Sequence, residues 1–118
     1  MNLNRIAAFT AAAVLGVASL SASAATSINT RTITRIAVSD NWAVIEYTPG
    51  LAAPVEGCTG TLNPEKKVTI DWESFANRKT MLATAMLAFA TGSNVNFSVS
   101  GCKAGYPSVR RVDVDAAQ

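Results

Sequence analysis

The sequence predicts a small, mostly-β domain of five strands and one helix. Three observations lead there. The runs "WAVIEYT", "KKVTIDW", "NVNFSVS" and "SVRRVDVD" carry the apolar/polar alternation of half-buried strands. The run "MLATAMLAFATG" is oily on nearly every side, sets large apolar residues at helical spacing and stops at a glycine. Clusters of Pro, Gly, Asn and Asp punctuate the chain between these runs.

The first strand covers Ser27 to Val38, rich in Thr, Ile and Val. Ile36 and Val38 fall on one face and Ile33 on the other, so a bulge or a two-sided, twisted strand is expected. Asp40-Asn41 reads as a tight turn into the second strand, Trp42 to Thr48, which makes a hairpin. Pro49-Gly50 ends it. Leu51 to Pro64 is a long irregular segment holding Cys58, and such a loop is usually functional or pinned. The third strand, Lys66 to Trp72, places Val68, Ile70 and Trp72 inward and Lys67, Thr69 and Asp71 outward.

A helix follows from Glu73 or Ser74 to Ala90 or Thr91, with Asp71 or Ser74 as its cap and Gly92 as its left-handed stop. Phe75, Leu82, Met86 and Phe89 form one stripe, the expected core face. The opposite face carries Thr80, Thr84, Ala88 and Thr91, flanked by Met81 and Leu87, with no charge after Lys79. Two readings stand for that face: a low-charge surface, or a second packed side against another copy. The fourth strand is Asn94 to Ser100, with Val95, Phe97 and Val99 inward. A turn-rich connection, Gly101 to Pro107, leads to the fifth, Ser108 to Asp115. Strand-strand-strand-helix-strand-strand is the order of the OB-fold, a partly open Greek-key barrel. One helix is too few for a parallel α/β fold, and five strands are too few for a sandwich.

Composition bounds the function. Met1 to Ala24 reads as a secretory signal: Arg5 is the basic n-region, Ile6 to Leu20 the apolar stretch, and Ala22-Ser23-Ala24 the cleavage site. The apolar stretch is shorter than the ~20 residues of a membrane span. Residues 25–118 are then a single exported domain, periplasmic or secreted. The formal charge of +2 drops to +1 without Arg5, which argues against nucleic acid as a partner. The two cysteines, Cys58 and Cys102, allow one intramolecular disulfide, worth about 4 kcal/mol in the chain-entropy model. Free thiols or intermolecular bridges are the alternative. Histidine is absent, which removes the commonest general base and metal ligand. Asp71, Glu73, Asp113 and Asp115 are read as solvated acids rather than a carboxylate pair, so neither an enzyme nor a metal or cofactor is expected.

The stretch "MLATAMLAFATGSNVNFSVSGC" followed by "YPSVRRVDV" resembles the C-terminal half of the B subunits of bacterial AB5 toxins. In layout it is similar to the cholera and heat-labile enterotoxin B subunits. In wording it is closer to the subtilase cytotoxin and typhoid-toxin-like group. The match covers Asp71 to Val114, and the first three strands agree only in order. Cys58 between strands two and three departs from the enterotoxin branch, whose first cysteine lies near the mature N-terminus.

The resemblance implies a homopentameric ring with the helices around a pore, a possible toxin A subunit, and binding to cell-surface glycans. It makes Thr80, Thr84, Leu87, Ala88 and Thr91 the expected oligomer interface. Sugar recognition needs aromatic faces and fixed polar groups. The available ones are Asn41, Trp42, Glu46, Tyr47, Lys103 and Tyr106. Each also has a plain structural reading as a core, turn or solvated residue. Two rival functions stand beside this one: a monomeric periplasmic OB-fold protein of envelope or stress function binding small ligands, and a module that binds another protein by edge-strand pairing.

Overall fold

In a computed structural model, residues 26–60 and 62–115 are described. The signal-peptide reading of Met1 to Ala24 lies outside them. β1 (Thr26–Val38) and β2 (Trp42–Thr48) form the expected hairpin, closed by the Ser39 N–H donating to the Trp42 carbonyl at 2.8 Å. β3 (Lys67–Asp71) pairs with β2, α1 (Thr80–Thr91) follows, and β4 (Asn94–Lys103) and β5 (Tyr106–Val114) pair with each other. The sheet closes on itself in the order β1-β2-β3-β5-β4, with β4 returning to β1.

Closure depends on β1. Its first half pairs with β4 and its second half with β2. Register shifts at Ile28/Arg31 and Ile33/Arg35 bend it between the two, and Thr30 takes φ of 59° at the first of them. Bulges concentrate twist, which a small ring needs. The expected bulge near Ile33 is therefore present. All pairs are antiparallel except β3 with β5, which meet in parallel at Thr69 and Ser108.

The core holds Ile28, Ile33, Ile45, Tyr47, Val68, Ile70, Val95, Phe97, Val99 and Val109 from the strands, with Ala85 and Ala88 from α1. Inward positions on β2 and β4 match the alternation in the sequence. β3 departs from it: all five residues are buried, including Lys67, Thr69 and Asp71, which had been expected outward on an open face. The β4–β5 hairpin folds over that second face. Ala104 and Gly105 take φ of 57° and 84°, so the turn needs two residues and the strands run further than expected, to Lys103 and from Tyr106.

α1 corrects three expectations. It begins at Thr80 rather than Glu73, after a 3-10 turn at Ala76–Lys79. Asp71 caps the turn before it: its carboxylate accepts the Glu73 and Ser74 N–H groups at 3.0 and 3.2 Å. The core face is also rotated. Ala85 and Ala88 are buried, with Met81 and Leu82 partly so. Phe75, Met86 and Phe89, read as core, are 45%, 52% and 47% exposed. Small residues win because α1 lies close against β1 and β5, where alanine admits nearer approach than phenylalanine. Of the expected interface positions, Thr80, Leu87 and Thr91 are exposed and Thr84 is half-buried, but Ala88 is 1% exposed and belongs to the core. Gly92 stops the helix as expected, with φ of 69° and its N–H on the Ala88 carbonyl.

Candidate functional site

The outer face of β2 and β3 gathers most of the polar residues singled out in the sequence. Cross-strand partners there are Trp42 with Asp71, Val44 with Thr69, and Glu46 with Lys67. Partners directly opposite lie on one face of a sheet. The tip of the β4–β5 hairpin reaches both ends of this strip. Lys103 approaches Asp71 at 3.9 Å and Glu73 at 2.7 Å, while Lys67 sits 5.6 Å from the Tyr106 ring centroid.

At the Trp42 end, the β1–β2 turn is tied to the end of β3. The Asn41 carbonyl accepts the Trp72 and Glu73 N–H groups, each at 3.1 Å, and the Trp72 indole donates to the Asp40 carbonyl at 3.0 Å. Asn41 is exposed and Trp42 half-buried. The hydrogen bond to Glu73 raises the Lys103 pKa, so its ammonium is a positive charge beside Asp71, the cross-strand partner of Trp42. Arg78 stands behind Asp71, donating to the Ser108 hydroxyl at 3.1 Å with its guanidinium 3.7 Å from the Phe75 ring centroid.

At the other end, Glu46 accepts from Arg35 at 3.0 Å and faces Lys67 at 3.8 Å. Lys67 is 7% exposed, so this carboxylate offsets a charge largely removed from water. The exposed Arg35 contact adds little. The Tyr106 hydroxyl donates to the Leu62 carbonyl at 3.2 Å. Its ring lies on Gly60, where an added Cβ would come within 2.5 Å of it, so only glycine fits under the ring.

Five of the six candidate ligand residues, Asn41, Trp42, Glu46, Lys103 and Tyr106, thus border one strip. Tyr47 does not. It is 1% exposed, its ring 5.9 Å from that of Phe97, and its hydroxyl donates to the Glu65 carbonyl at 3.0 Å. It is a core residue because β2 alternates and Trp42, Val44 and Glu46 take the outer face. The sequence reading missed Lys67, Asp71 and Glu73 as members of the strip. The signal was present in "KKVTIDW", whose outward positions stand opposite "WAVIEYT", but nothing local says that a hairpin about thirty to forty positions further along the chain folds over them.

Burial pushes the Tyr47 phenol up from 10.0 to about 12. The neutral form is favoured in the folded state, so the stabilisation is complete below pH 10 and is lost as pH rises through about 12. The loss across that window is on the order of 2 kcal/mol. Urea titrations from neutral to alkaline pH are expected to show this fall and Tyr47→Phe to flatten it. An unchanged profile in Tyr47→Phe would assign the loss elsewhere.

Among the described residues no group of three or more His, Cys, Asp or Glu is placed to hold a metal, and no helix is long and apolar enough to cross a membrane. No protein-family model matches the chain, and no curated protein or solved structure matches it.

Proposed function

We propose that the chain is an exported OB-fold binding module that assembles with its own copies into a ring and binds cell-surface glycans. The OB-fold reading is supported by strand order β1-β2-β3-β5-β4, the parallel meeting of β3 and β5, and the helix between β3 and β4. The observation that carries the assembly is the outer surface of α1. Met86, Leu87 and Phe89 are 52%, 60% and 47% exposed, and no residue of the helix is charged. A lone domain gains nothing by showing this surface to water, whereas a neighbouring copy covers it. The face meeting the neighbour is then Met86, Leu87 and Phe89 with Ala83 and Ala90, and Thr80 and Thr91 lie on its flank. Five copies is the number that the resemblance to toxin B subunits implies, and a toxin A subunit is the partner that it implies for the ring.

The sugar is assigned to the Asn41–Trp42 end of the strip. There an aromatic side chain, an exposed amide and the Lys103–Glu73 pair stand together, the combination that stacks on a pyranose and fixes its hydroxyls. The test has two steps. Mass measurement of the processed protein at micromolar concentration is expected to give a multiple of the chain mass, and a stable monomer overturns the ring. A glycan array is expected to show binding that Trp42→Ala abolishes. An assembled protein that binds no glycan would instead favour a structural or protein-binding role.

A further inference from the structure

The loop between β2 and β3 is attached very unevenly. Its base is closed by the Leu51 N–H and the Tyr47 hydroxyl, both donating to the Glu65 carbonyl at 2.8 and 3.0 Å. Residues 51–65 therefore form a loop with adjoining ends, of the Ω kind. Leu51 and Val55 pack on the core. β3 begins just after this loop and ends at the turn into α1.

Between Leu51 and Leu62, no backbone hydrogen bond among the described residues reaches the strands. The Cys58 N–H turns back to the Val55 carbonyl at 2.9 Å, inside the loop. The tip is held by the Cys58–Cys102 disulfide, with Cα atoms 5.6 Å apart, and by Gly60 lying against Tyr106 and Gly105. The two cysteines differ in access. Cys58 is 1% exposed, whereas Cys102 is exposed, on the β4 bulge that follows Gly101 with φ of 74°.

We propose that this disulfide is a reducible latch: a dithiol frees residues 52–60, hinged at the Leu51–Glu65 base, and lifts Val55 off the core, while the five strands stay paired. A dithiol thiolate attacks the reachable sulfur of Cys102, and Cys58 leaves as a thiolate that takes up a proton. The second thiol then displaces Cys102, so the reductant becomes a cyclic disulfide and both cysteines become thiols. The strands survive because none of their ladders passes through the loop, and the buried cluster is built of strand and helix residues, on which the loop adds Leu51 and Val55. Opening costs the contacts of Val55 with the core and of Gly60 with the Tyr106 ring, and loosens the Tyr106–Leu62 hydrogen bond beside them, the low end of local stability.

The experiment compares the oxidised full chain with the same chain in dithiothreitol. Amide exchange in residues 52–60 is expected to speed up by at least about ten-fold, with β1 to β5 still protected. Anilinonaphthalene sulfonate fluorescence is expected to rise and to fall again on reoxidation, and a Glu-specific protease to cut at Glu56 only after reduction. Unchanged exchange in the loop overturns the latch. So does cooperative loss of the β circular dichroism, which would make the bond a support of the whole fold. Cys58→Ser with Cys102→Ser should behave as the reduced chain; if that variant fails to fold, the reduced wild-type protein decides.

Discussion

Phe97→Ala is expected to cost about 3–5 kcal/mol of folding stability. Phe97 is 1% exposed at the middle of β4, where it pairs with Ile28 of β1 and Val112 of β5, and its ring faces Tyr47 at 5.9 Å. It therefore sits where the ring closes, and its neighbours are held by two ladders that resist collapse into the vacated space. The price of such a cavity depends on how little the site relaxes. A domain of this size has roughly 5–15 kcal/mol in hand, so the variant approaches the unfolding threshold. Urea midpoints measure it. Phe89→Ala makes the comparison informative: at 47% exposure it should cost well under half as much in the isolated chain. Equal costs at Phe89 and Phe97 would show that α1 is turned the other way.

That pair of phenylalanines also marks how far the sequence was legible. Phe97 sits in "NVNFSVS", where a period of two leaves one choice of face. The same period of two places Val95 and Val99 inward; the bulge in β1 follows from Ile33 and Ile36 facing opposite ways, and the stop at Gly92 from the left-handed φ that glycine allows. Phe89 sits in a helix with apolar residues nearly all round. There the sequence pattern gives almost no preferred direction, and the face is chosen by how closely α1 approaches β1 and β5. Close approach selected Ala85 and Ala88, which composition alone ranks below Phe75 and Phe89 as core residues. The site was half legible for a similar reason. Trp42 and Glu46 stand out in the sequence as an aromatic ring and a carboxylate on one strand, but the burial of Lys67 and Asp71 comes from a hairpin and a disulfide-held loop distant in sequence. Tyr47 was misplaced because its aromatic ring and hydroxyl suit a sugar as well as they suit a core position with one carbonyl in reach.

Phe89→Glu is expected to break the proposed assembly into folded single chains. The side chain is half-exposed in the isolated domain, so a carboxylate there keeps contact with water and should change monomer stability by less than about 1 kcal/mol. In an interface the same carboxylate is desolvated against Met86 and Leu87 of the surrounding apolar face, with no cation on the helix to pair with it. A large apolar residue buried in such an interface contributes about 2 kcal/mol or more, which is roughly thirty-fold per contact, and a ring repeats the contact at every subunit boundary. Met86→Glu should act the same way, whereas Thr91→Glu, on the flank of the face, should weaken assembly less. Sedimentation at several concentrations reads the mass, and far-ultraviolet circular dichroism reads the fold. A mass that stays multimeric in both Phe89→Glu and Met86→Glu, with an unchanged spectrum, would move the contact between copies away from α1, and the apolar face would then need a different occupant.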